Sequence, residues 1–98
     1  MKSFNQPPPV IDNLKHLGSR IAFARKIQQL RQDDLSSMAG ISRSTLSEIE
    51  KGSPFVSMGS YMACLWALGI MHDILATDMS DEERRLVASD LPKRVRHG

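Results

Sequence analysis

The 98-residue sequence predicts an all-α protein of five helices plus termini, on three observations. Leu14, Leu17, Ile21 and Ala24 recur at i, i+3, i+7 and i+10, one apolar helix stripe. In "RQDDLSSMAGISRSTLSEIEKG", Gly40 stands alone between two short helical patterns. Residues 58–70, "MGSYMACLWALGI", are apolar on nearly every side, as suits a central helix or one shared with another chain. In so small a domain both roles are expected of it.

The first helix is expected from a cap at Asp12 or Asn13 to about Leu30. Before it, "SFNQPPPV" reads as an extended, polyproline-like arm over residues 1–11, either a loose terminus or a segment that packs on a partner or reaches DNA. Arg25 falls on the apolar stripe, an odd place for a cation. Phe23 and Ile27 point nearly the other way, so this helix needs a second neighbour, either the C-terminal helices or another subunit. The second helix covers residues 32–39, with Asp33 and Asp34 in its first turn, where negative charge suits the helix dipole. Gly40 supplies the backbone freedom of a sharp corner. Ser42 caps a third helix that runs to Glu50 or Lys51, and Gly52 stops it. Ser57 opens the fourth helix; Met71, Ile74 and Leu75 mark a short fifth one. The DNA-binding unit so defined spans residues 12–76. In residues 77–98, Ser80 and Glu83 have capping-box spacing and start a last turn or two, followed by a basic tail broken at Pro92.

Composition bounds the function. Net charge is +2 and no apolar run approaches the ~20 residues of a membrane span. The start does not read as a signal peptide. One cysteine, Cys64, leaves no internal disulfide and no cysteine-built zinc site, so a reducing cytoplasm is the expected setting. His16, His72 and His97 are scattered without metal-ligand spacing, no cofactor is implied, and an enzyme is not expected. The basic residues Lys15, Arg20, Arg25, Lys26, Arg31, Arg43 and Lys51 crowd the first half.

Residues 32–51 have the pattern of a helix-turn-helix. Leu35, Ala39, Ile41, Leu46 and Ile49 take the inward positions, Ser36 is small where the helices cross, and glycine turns the corner. The first helix of the pair braces the second, which can then present a whole face outward. On that face a helical wheel puts Ser44, Ser47 and Lys51, with Glu48 beside them and Arg43 at the leading end. Such a helix fits the DNA major groove, where arginine binds guanine O6 and N7 and serine serves either base type. Arg43, Ser44, Ser47 and Glu48 are therefore the expected base contacts. Arg31, Gln32, Ser42, Thr45, Lys51 and Ser53 are the expected phosphate contacts along the same edge.

Residues 17–70 resemble the phage-repressor-like helix-turn-helix family of XRE type, to which the phage Cro and lambda repressors belong. "ARK" (24–26), "LRQDDL" (30–35), "GISRSTLSEIEKG" (40–52) and "VSMGSYMACLWALGI" (56–70) carry the likeness. Ser36 stands where that family favours alanine, and Arg31 where a small Ser or Thr is common. The resemblance implies a five-helix, lambda-repressor-like domain that binds operator DNA as a homodimer. It also implies a structural ion pair between Arg25 and Glu50. The dimer seam is expected on the fourth and fifth helices, through Met62, Leu65, Trp66, Met71, Ile74 and Leu75.

Within that family, residues 52–70, the acidic stretch that follows and "LPKRVR" (91–96) resemble HipB-like antitoxins, partners of HipA-type serine/threonine kinase toxins. The implied function is a repressor of its own operon that also binds a toxin. A stand-alone phage-type or chromosomal repressor and a coactivator-like interaction module are the alternatives.

Overall fold

The computed structural model describes residues 6–89. In chain order the helices are α1 (Pro8–Ile27), α2 (Gln32–Ala39), α3 (Arg43–Glu50), α4 (Met58–Leu68), α5 (Met71–Ile74) and α6 (Asp81–Ala88). The all-α architecture stands. The tail at 90–98, with Pro92, His97 and the "LPKRVR" run, lies outside the described residues, as does the start of the arm.

The first helix begins earlier than its capping residues suggest. Pro7 is the N-cap, and Pro8 and Pro9 occupy the first turn. Proline is tolerated there because its missing N–H would have no intrahelical partner anyway, and its fixed φ suits the helix. The carbonyl of Pro7 accepts from Val10 N at 2.9 Å, and Asn13 Nδ2 reaches back to Pro9 O at 2.8 Å. Residues 8–11 are therefore helix rather than extended arm, and neither Asp12 nor Asn13 is a cap. At the other end α1 stops at Ile27, three residues short of Leu30. Gln29 adopts φ +59°, a left-handed stop made without glycine, and Leu30 N returns to Arg25 O at 3.0 Å.

The core consists of Ile21 from α1, Leu35 from α2, Leu46 and Ile49 from α3, and Tyr61, Cys64, Leu65 and Leu68 from α4. Leu14, Leu17, Ala24, Ala39 and Ile41 pack around it partly buried. Ser36 is buried too, its hydroxyl donating to Asp33 O at 3.1 Å, so the departure from alanine is satisfied locally. Gly40 has φ +71°, and Ile41 N closes the corner on Ser36 O at 3.0 Å. Cys64 is fully buried, and burial pushes its thiol up to about 11, with the charge of Glu50 adding to the effect.

Two features depart from the sequence reading. Leu65, expected at the dimer seam, has 0% exposure and belongs to the core of its own protomer. It lies on the inward side of α4 beside Tyr61 and Leu68. Phe23 and Ile27 are 67% and 66% exposed, so among the described residues the C-terminal helices do not cover that side of α1, and of the two neighbours expected for it only another subunit is left. In α6 the capping box forms as its spacing requires: Glu83 N donates to Ser80 Oγ at 3.1 Å and Ser80 N to Glu83 Oε1 at 2.8 Å. All eight of its residues are exposed.

The placement of α3 depends on two glycines. A Cβ on Gly18 would stand 2.8 Å from both Glu50 O and Gly52 N. One on Gly52, whose φ is +79°, would stand 2.7 Å from Leu14 O and Lys15 N. Backbone therefore touches backbone where α1 crosses the C-terminal end of α3. Gly18→Ala would force the two apart, against a gain in helix propensity of only about 1 kcal/mol. We expect that variant to lose about 2–4 kcal/mol in urea melts, in the upper range of single substitutions; a neutral result would show that the crossing has slack.

Candidate nucleic-acid interface

Outward position on α3 follows from what lies beneath it. Leu46 and Ile49 have no exposed surface, which fixes the rotation of the helix about its axis. Ser42 caps its start, accepting from Thr45 N at 3.0 Å while its own hydroxyl donates to Thr45 Oγ1 at 2.9 Å. Gly52 and Ser53 close its end, with Gly52 N on Ile49 O at 2.9 Å and Ser53 N on Glu48 O at 3.0 Å.

A buried ion pair locks the same helix to α1. Arg25 Nε meets Glu50 Oε2 at 2.7 Å and Arg25 Nη2 meets Oε1 at 3.1 Å, a bidentate fork with both side chains 11% exposed. The third nitrogen is engaged as well: Arg25 Nη1 donates to Leu30 O at 2.9 Å. Gln32 Nε2 donates to Glu50 Oε1 at 3.1 Å, so α1, α2 and α3 converge on one carboxylate. The odd cation of the apolar stripe is thereby explained.

On the free side, Gln32, Arg43, Ser44, Ser47, Glu48 and Lys51 line one shallow polar hollow of about 510 Å³. This brings together all four expected base-contact residues and two of the expected phosphate contacts. Ser44 is exposed and Ser47 half-buried. Arg31 stands beside the hollow with 83% of its side chain exposed. Ser42 and Thr45 are joined to each other at the leading end. Ser53 sits past the far end, its Oγ accepting from Phe55 N at 3.1 Å. Gln32 has spent one amide hydrogen on Glu50 and keeps the other.

The electrostatics are less basic than the positions of the cations suggest. Each exposed cation of this face has an acidic neighbour: Arg31 with Asp34 at 3.4 Å, Arg43 with Asp33 at 3.5 Å, and Lys51 with Glu48 at 3.7 Å. Asp34 also accepts from the Arg31 backbone N–H at 2.8 Å, and that bond is the main reason its carboxyl titrates below the usual range. Exposed pairs of this kind are worth about 0–1 kcal/mol, so a phosphate or a base edge can displace them cheaply.

Several positions that build the site escaped the sequence reading. Gly18 was visible only as a glycine inside a helical pattern, a signal that can mark close packing. The position of Asp33 in the first turn of α2 suits the helix dipole, and nothing in its spacing marks it as the partner of Arg43. Tyr61, one of the α4 core residues, donates from its hydroxyl to Ser53 O at 2.6 Å and pins the loop after α3; burial raises its pKa, and the charge of Glu48 adds to it. Nothing in the sequence spacing marks that bond. Among the described residues no cluster of His, Cys, Asp or Glu is placed to hold a metal ion, and no helix is long and apolar enough to cross a membrane.

An α3 braced by α2, capped by serine and carrying arginine and hydroxyls on its free side defines a helix-turn-helix protein of the kind that regulates transcription. Residues 18–61 match the family described as "Helix-turn-helix domain". Over 60 residues the chain is 37% identical to the uncharacterized HTH-type transcriptional regulator y4mF of Sinorhizobium fredii, which covers 61% of this chain and 79% of that protein. The chain belongs to the XRE-type helix-turn-helix family of DNA-binding transcription regulators. No solved structure matches it.

Proposed function

We propose that this chain is a sequence-specific DNA-binding repressor that acts as a homodimer on a palindromic operator. One observation carries the reading: Arg43, Ser44 and Ser47 line a single open hollow with Glu48 and Lys51, while Leu46 and Ile49 of the same helix are wholly buried. Arg43 reads guanine, Ser44 and Ser47 approach the base edges closely, and Glu48 accepts from a cytosine amino group. Arg31, Gln32 and Lys51 contact phosphates and set the register, with Ser42, Thr45 and Ser53 at the two ends of the helix. The dimer forms through the exposed side of α4 with α5, using Met62, Trp66, Met71, Ile74 and Leu75. The operon it represses includes its own gene and a HipA-type kinase toxin, a reading supported by the resemblance of residues 52–70 to HipB-like antitoxins. The protein then works in the cytoplasm, on the nucleoid.

Footprinting on the DNA upstream of its own gene tests this directly. Two protected half-sites one helical turn apart, about 34–36 Å, are expected. With Arg31 and Lys51 of both protomers on phosphates, log K should fall with log salt at a slope of about −4. A footprint without any protected palindrome would favour an interaction module instead. Co-purification of a kinase encoded beside the gene separates the antitoxin from a stand-alone repressor.

A further inference from the structure

Beside the exposed side of α4, and unfilled by any of the described residues, is an open and mainly apolar cavity of about 300 Å³, walled by Val10, Leu14, Leu17, Val56, Met62 and Leu75, with Gln6 and Ser53 as polar members of its lining. A dry cavity of about 150 Å³ already accepts benzene, so this one has room for a bicyclic ring. One helical turn beyond Met62 stands Trp66, which is 65% exposed. It is the sole tryptophan of the chain and the largest side chain that could be buried.

We propose that two copies of this chain pair about a two-fold axis with Trp66 of each seated in the cavity of the other. This rests on the dimer reading above and specifies how the dimer closes. A two-fold interface uses the same patch on both sides, so it needs a projection and a matching recess on one face. Trp66 and the cavity meet that requirement, with Met62 bordering both. Charge agrees for the α4 part of the patch: no Asp, Glu, Lys or Arg stands between Lys51 and Asp73, so α4 meets its symmetry mate without like-charge opposition. Interface centres are depleted of charge and enriched in tryptophan and methionine, and Met58, 76% exposed, extends the same stripe. Each Trp66 brings roughly 100–160 Å² to bury, counted twice. Met58, Met62 and Leu75 continue the patch toward the about 800 Å² per partner of a standard interface.

Because the tryptophan is unique, its fluorescence reports the seat directly. Sedimentation and emission spectra of the full chain are recorded together over a dilution series. The expected result is a dimer with blue-shifted emission that turns to that of a water-exposed indole as the dimer dissociates. Trp66→Ala should weaken dimerisation roughly 30-fold or more while thermal melting extrapolated to the monomer is unchanged. Val10→Phe, which plugs the cavity from its rim, should weaken dimerisation and leave Trp66 exposed. A dimer whose tryptophan stays water-exposed would overturn the seat and leave the dimer reading intact. A monomer at every concentration, with or without operator DNA, would overturn both. Blue-shifted emission from a dilute monomer would also overturn the proposal, because it would show the ring covered within its own chain, for example by Leu86 and Val87 of α6.

Discussion

Arg25→Ala is expected to cost about 3–5 kcal/mol, the range for removing one partner of a buried ion pair. The reason lies in what stays behind. Glu50, 11% exposed, would be left with only the neutral amide of Gln32 at 3.1 Å, and Leu30 O would lose its donor. Domains of this size have about 5–15 kcal/mol in total, so the variant is at best marginal. At about 4–8 °C per kcal/mol, its melting temperature should drop by roughly 12–40 °C. Replacing both partners, as in Arg25→Met with Glu50→Leu, separates strength from orientation. Such double replacements are often neutral or stabilising. If the pair chiefly aims α3, the double variant should melt near the parent and still bind operator DNA more weakly. Parental affinity in a stably folded double variant would show that the apolar contacts of Leu46 and Ile49 aim the helix alone.

What the sequence disclosed, and what it hid, has a pattern. The helix-turn-helix was legible because its elements are local: a capping serine at 42, a glycine corner at 40, and aliphatics at helical spacing from Leu35 to Ile49. The capping box of α6 was legible for the same reason. Boundaries set by absence were not. Nothing in "QPPPVID" says that two prolines will start a helix rather than forbid one, because proline suits the first turn and is excluded from later ones. The stop at Gln29 carries no glycine to announce it. Leu65 shows a third limit. On a helix apolar all round, period alone cannot separate the side facing the protomer's own core from the side left for a partner. The structure divides them, with Leu65 at 0% and Trp66 at 65% exposure. Contacts across long sequence separation, such as Gly18 with the end of α3, depend on how helices cross and lie beyond any window, and the bond from Tyr61 to Ser53 O, though only eight residues apart, depends on how the loop after α3 folds back on α4.

Arg43→Ala should leave the fold almost untouched and remove specific binding. Its side chain is 65% exposed and its protein partner is Asp33 at 3.5 Å, itself 64% exposed, so melting should change by no more than about 0.5 kcal/mol. A bidentate arginine–guanine contact is worth about 1–3 kcal/mol of discrimination, and a dimer makes it twice. The expected loss of operator affinity is therefore between about 30-fold and about 20,000-fold, with binding to unrelated DNA reduced far less. Asp33→Asn probes the same contact from the other side. Asp33 lies 3.5 Å from Arg43, and its charge also opposes phosphates; removing that charge should strengthen binding to operator and unrelated duplex by a similar factor and leave their ratio close to the parent's. Gel shifts with the operator and a scrambled duplex, at two salt concentrations, read both effects at once. Equal losses on the two duplexes for Arg43→Ala would make this arginine a phosphate anchor and move the reading of bases to Ser44, Ser47 and Glu48.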